Sequence, residues 1–402
     1  MSGKADFPSS PGSDGELAVL AFVSDIDSVE ALKAGLQGLP GGIDLRRGTI
    51  RQAIRFLEKE APPRAIVVDV SDVENAQAAL DDLARICPPA VQVFAVGDNT
   101  DINFYRLLVD DVGVTEYLPK PLTRDSVQRQ LLNRLTNAGP DQAAPRGGQV
   151  IAVCGARGGV GTTTVAVGLA MELAGVAKGH VAMLDLHIQG GSMALMLAGT
   201  PGGGLRMALE DGDRADSLFL ERTAIQVAPR LQMIAADEPL DAELRLTRLG
   251  VSRLVALLQR KFNYVVIDLP MPMPPLMAAA LEAARHVAVV MMPDLLSLHG
   301  AKAITAWVDT AGGGTRRAIT VLNRADGKGG LARPLLEKAL GGKPDIVIPE
   351  LGAKMVEAIN LGVPAVRHVP ALRRHLLPLV REVAGVTPGA GGGSWVRRMF
   401  RG

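Results

Sequence analysis

IAVCGARGGVGTTTVAVGLAMEL, residues 151–173, carries three signals in immediate succession. The first five residues are small or β-branched and apolar, as in a strand covered on both faces. A glycine-rich turn follows, and then a run of apolar residues at helical spacing. Strand, glycine turn and helix in this order form the setting of a phosphate loop. Backbone N–H groups of Gly158, Gly159, Val160 and Gly161 can close around an anion, and the helix N-terminus adds its dipole. A plain strand-to-helix turn needs one glycine; this one has three in four positions, followed by Thr162, Thr163 and Thr164. The strict pattern G-x-x-x-x-G-K-S/T is not met, because Ala156 stands at its first glycine and Thr162 at its lysine. That lysine neutralises β/γ-phosphate charge during phosphoryl transfer, and threonine brings no charge. Thr163 keeps the hydroxyl position that faces magnesium. The expectation is ATP or ADP bound with Mg2+, and turnover that is slow or absent.

On both sides of this stretch, short apolar runs alternate with helical patterns. Before it, strands are expected at LAVLAFV (17–23), IDLRR (43–47), AIVVDV (65–70), VQVFAV (91–96) and VTEYL (114–118), with helices such as TIRQAIRFLEKE (49–60) and NAQAALDDLARI (75–86) between them. From residue 149 onward the strands are VIAVCG (150–155), HVAMLD (180–185), LQMIAA (231–236), YVVIDL (264–269), VAVVMM (287–292), AITVLN (318–323) and DIVIP (345–349). The fold class is α/β, with two doubly wound β-α domains. Composition divides the chain into a disordered start (1–14), a first domain (15–137), the linker AGPDQAAPRGG (138–148), a second domain (149–385) and a tail after a glycine-rich tether (386–402).

The chain has 402 residues, with 43 basic and 42 acidic side chains, a net charge of +1 and 48% hydrophobic residues. The hydrophobic fraction excludes wholesale disorder. Balanced charge and an aromatic content of only 3% argue against a chain whose main task is binding nucleic acid. Two cysteines, Cys87 and Cys154, imply a reducing compartment. The most apolar segment, residues 276–296, is interrupted by Glu282, Arg285, His286 and Asp294, and the first residues have no apolar signal region. A soluble, cytoplasmic protein is expected.

ARGGVGTTT resembles the deviant Walker A motif of the ParA/MinD superfamily, whose usual form is KGG-x-GKTT, and Arg157 sits at the signature lysine. In that superfamily the signature lysine reaches across a nucleotide-sandwich dimer, so the resemblance implies a homodimer in which Arg157 keeps the charge and adds a fork. MLDLHIQGGSMALML (183–197) resembles the switch I segment, D-x-D-x-Q, with Asp185 at its first aspartate and His187 in place of the second, which positions the attacking water. His187 is equally readable as a surface residue with no role. YVVIDLP (264–270) resembles the Walker B strand and gives Asp268 a place in the magnesium shell, with Thr163 and Asp185. MPDLLS (292–297) and LNR (322–324) resemble later superfamily loops, in which Asn323 would contact adenine, and residues 348–365 resemble the final β-α unit. The likeness covers about 149–385.

The first domain resembles a response-regulator receiver, a flavodoxin-like fold. Asp69 ends the third strand at the phosphoacceptor position, and Lys120-Pro121 follows the fifth. The usual acidic pair after the first strand is reduced to Ser24-Asp25, and Gly97 stands where a Ser or Thr ends the fourth strand. Asp69 is therefore either a phosphoacceptor or a strand-end carboxylate. An atypical receiver ahead of a degenerate MinD-like domain is similar to the CpaE/TadZ pilus-assembly family. That resemblance implies a localisation scaffold for Flp or tight-adherence pilus assembly, partnered by the pilus secretion ATPase and polar factors, at the cell pole and peripherally at the inner membrane. The alternatives are an active ATPase cycling on a membrane or nucleoid surface, a DNA-coating partition ATPase and a phosphorylation-driven regulator. The tail Trp395–Arg401 has apolar residues and three arginines that would suit an anionic membrane surface, or it is a frayed end.

Overall fold

The computed structural model describes residues 17–60, 62–88, 91–137, 148–175, 179–311 and 316–384. The expected disordered start, nearly all of the linker and the tail lie outside them. The chain divides into two compact units, residues 1–147 and 148–402.

The N-terminal unit has five parallel strands: β1 (Leu17–Val23), β2 (Gly42–Arg47), β3 (Ala65–Asp69), β4 (Gln92–Gly97) and β5 (Glu116–Pro119), in the order β2-β1-β3-β4-β5. Successive side chains point to opposite faces, so Leu20 and Phe22 enter one apolar layer while Val19, Ala21 and Val23 enter the other. The helices over both layers start where the sequence supplies caps. Asn75 accepts the Ala78 N–H at the start of Ala76–Ile86, and the Gln52 side chain accepts the Thr49 N–H at the start of Ile50–Leu57. Strand order reverses between β1 and β3, so the crevice at their C-terminal ends is the place where such sheets bind ligands.

The C-terminal unit has eight strands: β6 (Gln149–Gly155), β7 (Val181–Asp185), β8 (Ile225–Ala228), β9 (Leu231–Ile234), β10 (Tyr264–Leu269), β11 (His286–Met291), β12 (Arg317–Leu322) and β13 (Ile346–Val347), in the order β13-β12-β11-β6-β10-β7-β9-β8. All neighbours are parallel except β8, which pairs antiparallel with β9. β8 is the one strand not anticipated from sequence; its residues read IQVA, a short half-buried stretch beside a turn. Ile151 and Val153 of β6 face one apolar layer, and Val150, Ala152 and Cys154 face the other. Both faces are covered by helices, which explains why these strands read as unbroken apolar runs. β6 is central, and its C-terminal end delivers the chain into the glycine-rich loop beside the ends of β10 and β11.

No helix among the described residues is long and apolar enough to cross a membrane.

Candidate functional site

The glycine-rich loop leaves β6 and ends where the helix Thr162–Gly175 begins. Its course depends on glycine at two points. Gly159 and Gly161 have φ of +78° and +94°, a region that side-chain-bearing residues rarely adopt. A Cβ on Gly161 would lie 2.5 Å from Asn323 Nδ2. Val160 between them is fully buried and anchors the loop. Around Gly159 there is open space, so no described residue covers the loop at that point. Thr162, Thr163 and Thr164 are each half-buried in the first helical turn. A Cβ on Gly155 would lie 2.5 Å from the Thr162 hydroxyl, so Thr162 closes back over the strand end.

Two carboxylates stand beside the loop on adjacent strands. Asp185 ends β7 and Asp268 lies in β10, directly paired in register. Asp185 is held: its Oδ1 accepts the His187 N–H at 2.9 Å and its Oδ2 the Met193 N–H at 3.3 Å. Neither oxygen of Asp268 meets a donor at hydrogen-bond geometry among the described residues. Burial pushes the Asp268 carboxyl up, the neighbouring Asp185 charge adds to that, and the nearby Thr163 hydroxyl opposes it. Burial likewise raises Asp185, against the hydrogen bonds from His187 and Met193. A buried carboxylate without a partner is costly, and a hard cation is what relieves it. Thr163, Asp185 and Asp268 therefore fit Mg2+, the ion that takes one or two carboxylates and leaves its other positions to water and phosphate. No cluster of three or more His, Cys, Asp or Glu occurs among the described residues, so such an ion would be completed by its ligand.

The remaining expected site residues are placed as follows. Asn323 donates from Nδ2 to the Val160 carbonyl at 2.8 Å, and so braces the loop from β12. Arg157 lies against its own unit: Nη2 is 2.8 Å and Nε 3.4 Å from the two carboxylate oxygens of Asp294, and Nη1 donates to the Gly158 carbonyl at 2.9 Å. His187 is half-buried after β7, and its backbone rather than its ring holds Asp185. Gln189 and Asp294, in the segments 183–197 and 292–297, make contacts that the sequence does not announce. Gln189 donates to the carbonyls of Pro239, Leu240 and Ala242, which fastens the turn after β7 to the segment after β9. Asp294, three residues before a serine, has the spacing of a helix N-cap, but nothing in its local sequence points to Arg157.

In the N-terminal unit, Asp69, Asp25 and Lys120 meet at the crevice between β1 and β3. Asp69 is fully buried and its oxygens are saturated. Oδ2 accepts the Ser24 N–H at 2.9 Å, the Ser24 hydroxyl at 2.5 Å and the Lys120 ammonium at 2.7 Å. Oδ1 accepts the Ser71 N–H at 3.0 Å and its hydroxyl at 2.7 Å. Lys120 is also 2.8 Å from Asp25 Oδ2. Burial alone would raise the Asp69 carboxyl, but Lys120, Ser24 and Ser71 outweigh it and hold it at about 2. The ammonium thus lies between the two carboxylates, and both oxygens of Asp69 accept hydrogen bonds. Ser71 was not anticipated; no sequence pattern marks it. A Cβ on Gly97 would lie 2.9 Å from the Tyr117 hydroxyl, which donates to the Asn99 carbonyl, so the tyrosine occupies the room that a larger residue at position 97 would need.

A family model described as an AAA domain matches residues 148–321. The structure is similar to that of a ParA family ATPase from Chlorobium tepidum, with 21% identity, a TM-score of 0.53, and coverage of 58% of this chain and 98% of that one. It is also similar to the septum site-determining protein MinD of Pyrococcus horikoshii, determined with Mg-ADP, with 18% identity, a TM-score of 0.50, and coverage of 58% and 95%. A pilus assembly protein CpaE from Caulobacter crescentus matches with 27% identity over 29% of this chain and 92% of its own, at a TM-score of 0.26. The fold carrying the glycine-rich loop is that of the ParA/MinD-type P-loop ATPases.

Proposed function

We propose that this chain is a nucleotide-binding localisation scaffold for Flp or tight-adherence pilus assembly and secretion machinery, acting as a homodimer with ATP or ADP and Mg2+ and with little or no hydrolysis. The observation that carries the reading is the uneven state of the site. Several binding elements are present: the glycine-rich backbone of 158–161 with open space at Gly159, the Thr163 hydroxyl and the buried Asp268 carboxylate, whose oxygens meet no donor among the described residues. What stabilises charge in transfer is altered, because Thr162 brings no cation and His187 no carboxylate. Bound Mg2+ would supply charge neutralisation to the phosphates, and Thr163, Asp185 and Asp268 would hold it. The saturated Asp69–Lys120 pair supports a receiver-like module that docks partners in one fixed state rather than switching by phosphorylation. The pilus assignment and polar placement rest on the order of the two units and on the motif residues 157–164, 185–189 and 268.

The test is nucleotide binding measured by fluorescent ADP and ATP with Mg2+, alongside oligomeric mass and phosphate release. Binding with an ATP-dependent dimer and negligible release is expected, and so is capture of the purified pilus secretion ATPase by the loaded form. Sustained turnover at ordinary ATPase rates would replace the scaffold with an active switch.

A further inference from the structure

The turn after β7 and the segment after β9 are clasped together, and the clasp holds one leucine out in solvent. Gln189 donates from Nε2 to the carbonyls of Pro239, Leu240 and Ala242 at 2.8, 3.2 and 3.0 Å. The Glu238 N–H donates to the Ile188 carbonyl at 3.0 Å, and Arg206 reaches both the Glu238 carboxylate and the Glu243 carbonyl. Within this frame Leu240 is 84% exposed, in one loop with the exposed acids Asp237, Asp241 and Glu243. A single exposed leucine is ordinary on a protein surface. One whose backbone is fixed on both sides by hydrogen bonds is preorganised for contact. The same unit carries a shallow apolar dent between the helices Thr162–Gly175 and Ala353–Asn360, lined among others by Thr164, Met196, Ile359 and Val363. Next to these lining residues in the chain, Leu195 and Leu361 are 72% and 60% exposed. Their backbones meet at two left-handed corners. Ala198 has φ of +49° and Gly362 of +62°, and a Cβ on Gly362 would lie 3.4 Å from both the Ala198 Cβ and the Leu195 carbonyl oxygen. A left-handed alanine carries strain, which marks a shape the surrounding structure maintains. Lys354, on the second helix, and Arg367, beside the lining residue Val366, are exposed and make no ion pair among the described residues; that helix also carries the acid Glu357.

We propose that Leu240 of one copy seats in this dent on a second copy, an unlike contact of loop with dent that gathers chains of this protein. Gln189 and Arg206 hold the loop so that Leu240 stands in solvent, and it does not fill the dent of its own chain. The two surfaces complement each other: an apolar anchor flanked by Asp237 and Asp241 meets an apolar floor flanked by Lys354 and Arg367. Because the surfaces differ, the contact is heterologous. It closes where two copies exchange loops or where copies form a ring, and otherwise continues as an open row. The contact is separate from the nucleotide-dependent dimer proposed above and needs no nucleotide. One leucine and a few solvated charges make a contact at the weak end of specific interfaces, so it forms where chains are already concentrated.

The experiment uses two full-length variants, Pro239→Cys and Asn360→Cys, each at an exposed position, with a short bismaleimide and no nucleotide. The native Cys87 and Cys154 are buried. The mixture should give cross-linked pairs in which peptides carrying positions 239 and 360 are joined, read by mass spectrometry, and either variant alone should give little cross-linking. Adding Leu240→Asp to the first variant should lower the yield by roughly tenfold or more, as for loss of a central anchor. Lys354→Glu with Arg367→Glu on the second variant should also lower it, and Asp237→Lys with Asp241→Lys on the first should then restore it. No cross-link in the mixture overturns the proposal, and so does a yield indifferent to Leu240→Asp. Cross-linking of each variant with itself as efficient as in the mixture overturns it in favour of a like-to-like contact. Cross-linking that appears only in chains ending at Gly393 overturns it in favour of the chain's own tail as occupant. Every arm omits nucleotide, so none of these failures bears on the reading of the glycine-rich loop as a nucleotide site.

Discussion

Replacing Lys120 with methionine removes the ammonium that links Asp25 and Asp69 while keeping the bulk of the side chain, and its effect can be worked from the contacts. Asp69 is fully buried, and its carboxyl lies at about 2 against an ordinary value of 3.8. That drop represents roughly 2 kcal/mol of stability for the charged form. Breaking a fully buried pair costs about 3–5 kcal/mol. Here Lys120 and Asp25 retain contact with water, with side chains 12% and 40% exposed, so the N-terminal unit should lose about 2–3 kcal/mol. The pH dependence has a definite sign. In the parent, Asp69 has a lowered value in the folded state, so its contribution is complete above the ordinary carboxyl range and is lost as pH falls through about 2. In the variant, the carboxyl moves back towards its ordinary value and that contribution is absent at every pH. The gap between parent and variant should therefore be widest near neutrality and shrink on acidification towards pH 2–3. Urea unfolding at pH 7, 5 and 3, followed by pulsed proteolysis with peptides from residues 17–137 read by mass spectrometry, reports the N-terminal unit, and peptides from residues 148–384 serve as the control for the other. Equal midpoints at pH 7, or a gap that does not narrow in acid, would refute the ion pair as the organiser of this crevice.

Thr162→Lys combined with His187→Asp should raise phosphate release by about two to three decades, the usual worth of one transition-state charge contact; no rise in a folded, nucleotide-binding double variant would show that other residues limit turnover. Gly161→Ala puts a side-chain-bearing residue at a left-handed φ and a Cβ into Asn323, and should weaken Mg-ADP binding by roughly 5- to 150-fold by calorimetry, on a strain of about 1–3 kcal/mol. A chain ending at Gly393 should pellet less with anionic liposomes than the full chain, with a difference that falls with added salt, since three arginines near a charged leaflet contribute up to about 3 kcal/mol; equal pelleting would show that the tail takes no part.

The layered β-α architecture was legible because parallel strands covered on both faces must be largely apolar, and AIVV (65–68), VVI (265–267) and VAVVM (287–291) are, the first two running into Asp69 and Asp268 at their C-terminal ends. β8 escaped because an edge strand of four residues, three half-buried and Gln226 exposed, has neither the length nor the hydrophobicity of its neighbours. At the phosphate loop, glycine and threonine spacing announced the backbone geometry, since those residues are required by local conformation. The partners of the charged groups were not legible. Arg157 meets Asp294 across 137 residues, and Asp69 meets Lys120 across 51. Such pairings are set by which strands lie side by side and leave no periodic trace. Ser71 is a plainer case: two residues beyond Asp69, it satisfies an oxygen that would otherwise be left for chemistry, and serine in a loop carries no signal of that duty.

The sheet of the C-terminal unit ends in ways that forbid polymerisation by strand addition. On one margin β13 contributes two residues, pairing through Ile346 and Val347 alone; on the other, β8 runs against its neighbours with an irregular register between Gln226 and Ala228. Neither margin offers the long, flat row of unpaired amides and carbonyls that zips one chain onto another. With both margins of this sheet blunted, copies of the C-terminal unit would meet through side chains and loops rather than by strand addition.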